Sequence, residues 1–157
     1  MAEHAALARR LAEFGRTSGI GSLALDASGV CALAFDGEVI IHLAAEADDA
    51  ALLYVAVGQP VPEPLQAATY RRFLEANARG GGPRAVRLAL DPRDGAPLLC
   101  CPIAADRLSY SEFEAALLWL ADAAETWSAE LRSPPAAASG AADGALASGS
   151  WGGMIRA

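Results

Sequence analysis

Apolar residues recur along this chain with two periods, and the changes between them mark its elements. From Glu3 to Arg16, Leu7, Leu11 and Phe14 fall at i, i+4 and i+7, one face of a helix. Gly15 and Gly19 are expected to end it. The stretch SLALDASGVCALAFDGEVIIHLA (22–44) holds two turn signals, Asp26–Gly29 and Asp36-Gly37, the second a strong hairpin signal. Strands are predicted over 22–26, 30–35 and 38–44. Ala50–Gly58, β-branched at Val55 and Val57, is read as a fourth. Pro60, Pro62 and Pro64 then break the chain. A helix over Leu65–Asn77 follows, with Asn77 and Gly80 as a left-handed cap. RAVRLALDPRDGAPLLCCPIA (84–104) reads as a second hairpin turning at Asp91–Gly95. Pro102 suits an edge position. The last helix is predicted over Ser109–Leu131, capped by Ser109 or Ser111, with Glu112 and Glu114 near its positive end.

The order α-β-β-β-β-α-β-β-α groups strands into hairpins, so the expected class is α+β with an antiparallel twisted sheet and three helices. One domain is expected over 1–132. Residues 133–157, rich in Pro, Ala, Gly and Ser, read as a disordered tail. Its end, with Trp151, Met154 and Ile155, is apolar, either a floppy terminus or a short docking motif.

The faces of these elements differ in what they need. The last helix has one stripe, Phe113, Leu117, Leu120, Ala124, Trp127 and Leu131, with Asp122, Glu125 and Glu130 off it. The strands SLAL, VCALAF and EVIIHLA are apolar on both faces. One face can pack on helices; the other is covered by helices of the same chain, by a partner chain or by a client segment. The last two are favoured. The 65–77 helix also has two stripes, Leu65/Thr69/Phe73/Ala76 and Ala67/Tyr70/Leu74/Asn77. A homodimer with this helix between its own sheet and a twin subunit would cover both. The glycines at 80–82 would then let the chain reverse into the next strand.

Composition narrows the function classes. Of 157 residues, 54% are hydrophobic, the formal net charge is −7 and every basic residue is arginine. Mean hydropathy is +0.26. An acidic chain without a basic stripe argues against nucleic acid, and the charge keeps an apolar surface soluble. No apolar run approaches the ~20 residues of a membrane span, and the charged N-terminus lacks a signal-peptide core. A soluble cytoplasmic protein without membrane insertion is expected. Cys31, Cys100 and Cys101 lack a CxxC spacing and read as small core residues. His4 and His42 stand far apart, without metal-ligand spacing. No P-loop, GxSxG or dinucleotide fingerprint occurs. The carboxylates sit in turns or on helix surfaces. A binding protein without metal or cofactor is expected, not an enzyme.

Four stretches, LARRLAEFG, LALDASGVCALAFDG, YRRFLEANARGGG and LALDPRDGAPLL, resemble in order and spacing the class I type III secretion chaperones of the Tir-chaperone (CesT-like) family. The resemblance covers about residues 5–131. It implies an acidic, cytoplasmic homodimer that binds the N-terminal region of secreted effectors. Such a chaperone keeps that region extended and delivers it to the secretion machinery, a role in virulence. On this chain it implies effector contacts at Leu7, Leu11, Phe14, Leu23, Leu25, Leu33, Phe35, Val39 and Ile41. It implies a dimer interface at Tyr70, Leu74, Val86, Leu88 and Leu90. The greasier strand LLCCPIA and the long tail depart from the family pattern. The tail could serve several effectors or a secretion-system ATPase. The alternative is a regulatory or adaptor module of the same fold, binding a folded secretion component or regulator.

Overall fold

The structure is a computed structural model, and it describes residues 4–47, 49–79 and 86–133. The expected tail from 134 on, and the glycines at 80–82, lie outside the described residues.

Helix α1 (Ala5–Thr17) buries Ala6, Leu7, Leu11 and Phe14 along the expected face. Gly15 does not end it. A Cβ there would collide with the Gly21 carbonyl and press on Leu23, because the chain folds back across the helix at that point. The Gly21 N–H donates to the Gly15 carbonyl at 3.1 Å. The helix stops at Ser18, and Gly19 follows at φ 72.

The expected strand over 22–26 does not form. Those residues are an irregular link whose Leu23 and Leu25 pack half-buried on the core. Asp26 explains where pairing begins. Its carboxylate accepts from the Ser28 and Val30 N–H groups at 2.8 and 3.0 Å, making a side-chain-closed turn that launches the first strand.

The five strands are β1 (Val30–Phe35), β2 (Val39–Ala45), β3 (Ala50–Ala56), β4 (Arg87–Leu90) and β5 (Pro97–Ala104), in the order β1-β2-β3-β5-β4. Every pairing is antiparallel. The β1–β2 hairpin closes at the pair Phe35–Val39, so its loop has three residues, Asp36–Glu38, one more than the two-residue turn expected, with Asp36 and Gly37 both at positive φ. In the β4–β5 turn, Asp91 accepts from the Arg93 N–H and Asp94 from the Ala96 N–H, each at 2.9 Å. Strand β5 is not an edge, since it pairs with both β3 and β4. Pro102 lies past the last β4 pair, Arg87–Cys100, so its missing N–H costs no bond there.

Helix α2 (Glu63–Ala78) starts at Pro62–Pro64, where proline is tolerated. Its end differs from expectation. Asn77 is no left-handed cap; it stays helical, and its amide bonds the Leu88 backbone both ways, at 3.0 and 2.9 Å. The cap is Arg79, in right-handed geometry. Helix α3 (Tyr110–Arg132) opens with a capping box between Ser109 and Glu112.

All three helices lie on one side of the sheet. Helix α3 crosses β2, β3 and β5 with Phe113, Leu117 and Leu120 fully buried. Helix α1 joins it through Phe14, edge-on to Phe113 at 6.4 Å. Helix α2 lies beside α3 over β4, through Phe73 against Trp127 at 5.7 Å and Arg72 paired with Glu130 at 2.8 Å.

Candidate functional site

Strand registers sort every sheet residue to one of two sides. Toward the helices run Cys31–Leu43–Leu53–Cys101, Leu33–Ile41–Val55–Leu99–Leu88 and the pair Ala51–Ile103. All of these are buried. On the opposite side run Ala32–His42–Tyr54–Cys100–Arg87 and Val30–Ala44–Leu52–Pro102. Ala34 pairs with Ile40, and Ala56 with Leu98, on that same side. This second surface is exposed or half-exposed throughout, with Ile40 at 49%. No described helix covers it.

The open side is thus a wide apolar surface with few polar groups. His42 and Tyr54 stack at its centre, ring centroids 5.0 Å apart and planes 14° from parallel. Arg87 closes the row at the β4 edge. Burial, and then the neighbouring Cys101, push the Cys100 thiol up. Burial, and then the Asp26 carboxylate, do the same to Cys31. Both therefore stay protonated near neutral pH and are weak nucleophiles. No group of three or more His, Cys, Asp or Glu side chains is gathered among the described residues in a way that could hold a metal. No described helix is long and apolar enough to cross a membrane. What such a surface can do is bury apolar side chains and present the β1 edge for backbone pairing, since the β4 edge is already occupied at Leu88 by the Asn77 amide.

The structure gathers the expected effector residues on the helix side. Leu7, Leu11, Phe14, Leu33 and Ile41 are in the closed core, none more than 4% exposed, and present no surface to a client. Leu23, Leu25, Phe35 and Val39 pack at its margin and stay partly exposed. The residues that line the open side, among them Ile40, His42, Leu52, Tyr54 and Leu98, were not singled out from the sequence. Strand parity alone could not choose, because both parities are apolar. The signal available was where His42 and Tyr54 fall, since side chains with polar tips favour the wetter face.

The expected dimer residues divide likewise. Val86 and Leu88 are buried under the chain's own α2 and α3, and Tyr70 packs on Phe73 at 6.3 Å. Leu74 and Leu90 are exposed, at 69% and 37%. On α2 the Thr69/Phe73 stripe faces inward, and Leu74 on the second stripe faces water.

Among solved structures, the chain is similar to one in the HopA1–SchA chaperone–effector complex, at 20% identity and TM-score 0.65 over 80% of this chain and 95% of that one. It is similar to a chain of the ExsC–ExsE complex at 29% identity and TM-score 0.63, covering 87% and 99%. The Yersinia pestis type III secretion chaperone SycH, in complex with a fragment of YscM2, gives 22% identity and TM-score 0.62 over 76% and 98%. No curated protein matches. The sequence itself matches the family pattern over residues 9–128, which takes in every strand and nearly all of the helical residues described above, and so the chain belongs to the Tir chaperone protein (CesT) family.

Proposed function

We propose that this chain is a cytoplasmic chaperone of type III secreted effectors, and that it holds an effector's N-terminal region extended against the open side of its sheet. One observation carries the reading: a five-stranded sheet apolar on both sides has, among the described residues, helices on only one. Contiguous apolar surface of more than a few hundred Å² is rare on a soluble monomer and marks an interaction site. An extended segment suits it, because strand addition uses backbone hydrogen bonds that any sequence can make, while shallow apolar ground takes alternate side chains. Family membership and the likeness to chaperone–effector complexes support the same reading. No chemistry is required of the chaperone.

Leu23, Leu25, Phe35 and Val39 would meet the effector at the β1 margin, and Leu7, Leu11, Phe14, Leu33 and Ile41 would act from beneath by holding the sheet. The chain would work as a homodimer, with Leu74 and Leu90 at the twofold contact and Tyr70, Val86 and Leu88 supporting them. Delivery would bring it to the secretion machinery and its ATPase. Co-expression with effector N-terminal fragments, followed by light-scattering chromatography, tests this. A dimer carrying an otherwise insoluble effector segment is expected. A lone monomer that retains none would overturn the reading.

A further inference from the structure

A second apolar concavity lies on the helix side of the molecule, away from the open sheet surface. It is a cavity of about 400 Å³ between the start of α2 and the end of α3, walled by Val57, Pro60, Val61, Leu65, Pro97 and Leu131. That volume falls within the roughly 300–1,000 Å³ of pockets that take a bulky organic group. Arg72 and Arg132 stand at the rim. Each has a partner, Arg72 bonding the Glu130 carboxylate at 2.8 Å and Arg132 the Ser128 carbonyl at 3.1 Å. The flat faces of such guanidinium groups favour indole above other rings. Leu65 at the mouth is 40% exposed, a large apolar side chain without cover.

The described chain leaves off in the wall of this cavity. Ser133, its last residue, is part of the lining. Residues 134–157 follow, and they carry two charged side chains, Asp143 and Arg156. Their large apolar side chains are Leu146, Trp151, Met154 and Ile155, the last three clustered near the end. A linker of Ala/Gly/Ser composition has a mean reach of roughly 23 Å over the ~18 residues from Ser133 to Trp151. Because its root is in the cavity wall, that reach is ample. Tethering also sets an effective concentration in the mM range, against which a second copy at μM concentration competes poorly.

We infer that the cavity between α2 and α3 is the seat of this chain's own C-terminal segment, with the Trp151 indole inserted beside Leu65 and Met154 and Ile155 covering the mouth. The inference does not depend on the effector reading, since the seat and the open sheet surface share no residue. Its consequence is that this apolar concavity is filled by the chain itself and is not offered to an effector, which is left the open side of the sheet.

The test uses the full chain labelled with 5-fluorotryptophan, which reports Trp119, Trp127 and Trp151 separately by fluorine NMR. Trp151→Phe assigns the tail signal, and a labelled peptide of residues 134–157 gives its free position. The expected result is a Trp151 signal displaced from the free position and independent of dilution. Leu65→Arg should return it to that position, with the docked population falling about tenfold or more as a charge is set against an apolar seat. The Trp119 and Trp127 signals check that the variant is folded, and Val61→Arg provides an independent block. A Trp151 signal at the free position in the full chain would overturn the inference. So would a displaced signal that neither variant moves, which would put the seat elsewhere. Displacement that vanishes on dilution, or in the Leu74→Asp variant designed to separate the proposed dimer, would make the occupant a second copy's tail and overturn the assignment to the chain's own.

Discussion

The two sides of the sheet are built from nearly the same residue types and meet opposite fates. Cys31, Leu33, Ile41, Leu43, Leu53, Val55, Leu99 and Cys101 are sealed beneath helices. One residue along, Ala32, Ile40, His42, Leu52, Tyr54 and Cys100 face outward. Apolar character alone therefore does not say which side is core. The sealed side is wholly free of polar tips, whereas the open side mixes small residues with His42, Tyr54 and Arg87, which tolerate water. That is the composition of a surface that must stay soluble empty and become dry when occupied.

The largest expected effect separates the two sides at adjacent residues. Leu53→Ala should cost about 2–5 kcal/mol of folding stability, the usual range for a leucine deleted from a closed core. Leu52→Ala, on the open side, should cost less than about 1 kcal/mol. Urea denaturation of both, at concentrations where the chain is not bound to a client, gives the comparison. Equal costs would mean that the open side is already covered in solution.

Next in size is assembly. Among the described residues Leu74 is the most exposed of the large apolar side chains, and it lies on the α2 stripe that does not face the chain's own core. Leu74→Asp should leave the fold intact while converting the proposed dimer to monomer, since burying an unpaired carboxylate costs several kcal/mol. Light scattering on the purified variant decides it, and a persistent dimer would put the twofold contact elsewhere. Smaller again is the effect on client binding. Ile40→Asp should weaken capture of an effector segment at least about tenfold, or roughly 1.4 kcal/mol, with little change in melting temperature. Unchanged capture would take the client off this side of the sheet.

Much of the fold was legible from residues whose role is local. Asp36-Gly37 signalled its hairpin because both positions need positive φ. Ser109 and Glu112 signalled the start of α3, and the single stripe of α3 signalled the core. What was illegible depended on distant partners. Gly15 looks like a helix stop until the returning chain at Gly21 is seen to require its missing side chain. Asn77 looks like a cap until Leu88, eleven residues on, takes both of its hydrogen bonds. The strand expected at 22–26 had the right residues but no strand beside it. The candidate site was half legible in the same sense. That an apolar surface was left over followed from the doubled strand pattern, but which side it was depended on where three helices settled.

The smallest effect lies in the β4–β5 turn, where the sheet ends and neither side is favoured. Hydrogen bonds from the Arg93 guanidinium, and then from the Arg93 N–H, hold the Asp91 carboxyl down to about 2, from an ordinary 3.8. A carboxyl that is harder to protonate when folded stabilises the fold above its unfolded pKa and loses that contribution as pH falls through its folded one. The difference in stability between the natural chain and Asp91→Asn should therefore be level above about pH 5, shrink as the unfolded carboxyl begins to protonate near 4, and close near 2. The Arg93 side chain is 83% exposed, so solvent and salt screen the pair and the difference should shrink further in 1 M NaCl. Thermal melts of both chains across that pH range measure it. Effector capture at neutral pH should be the same for the two. If Asp91→Asn instead abolished capture while melting normally, the client would reach past the open rows to the end of the sheet, and the division between a structural turn and a working surface would have to move.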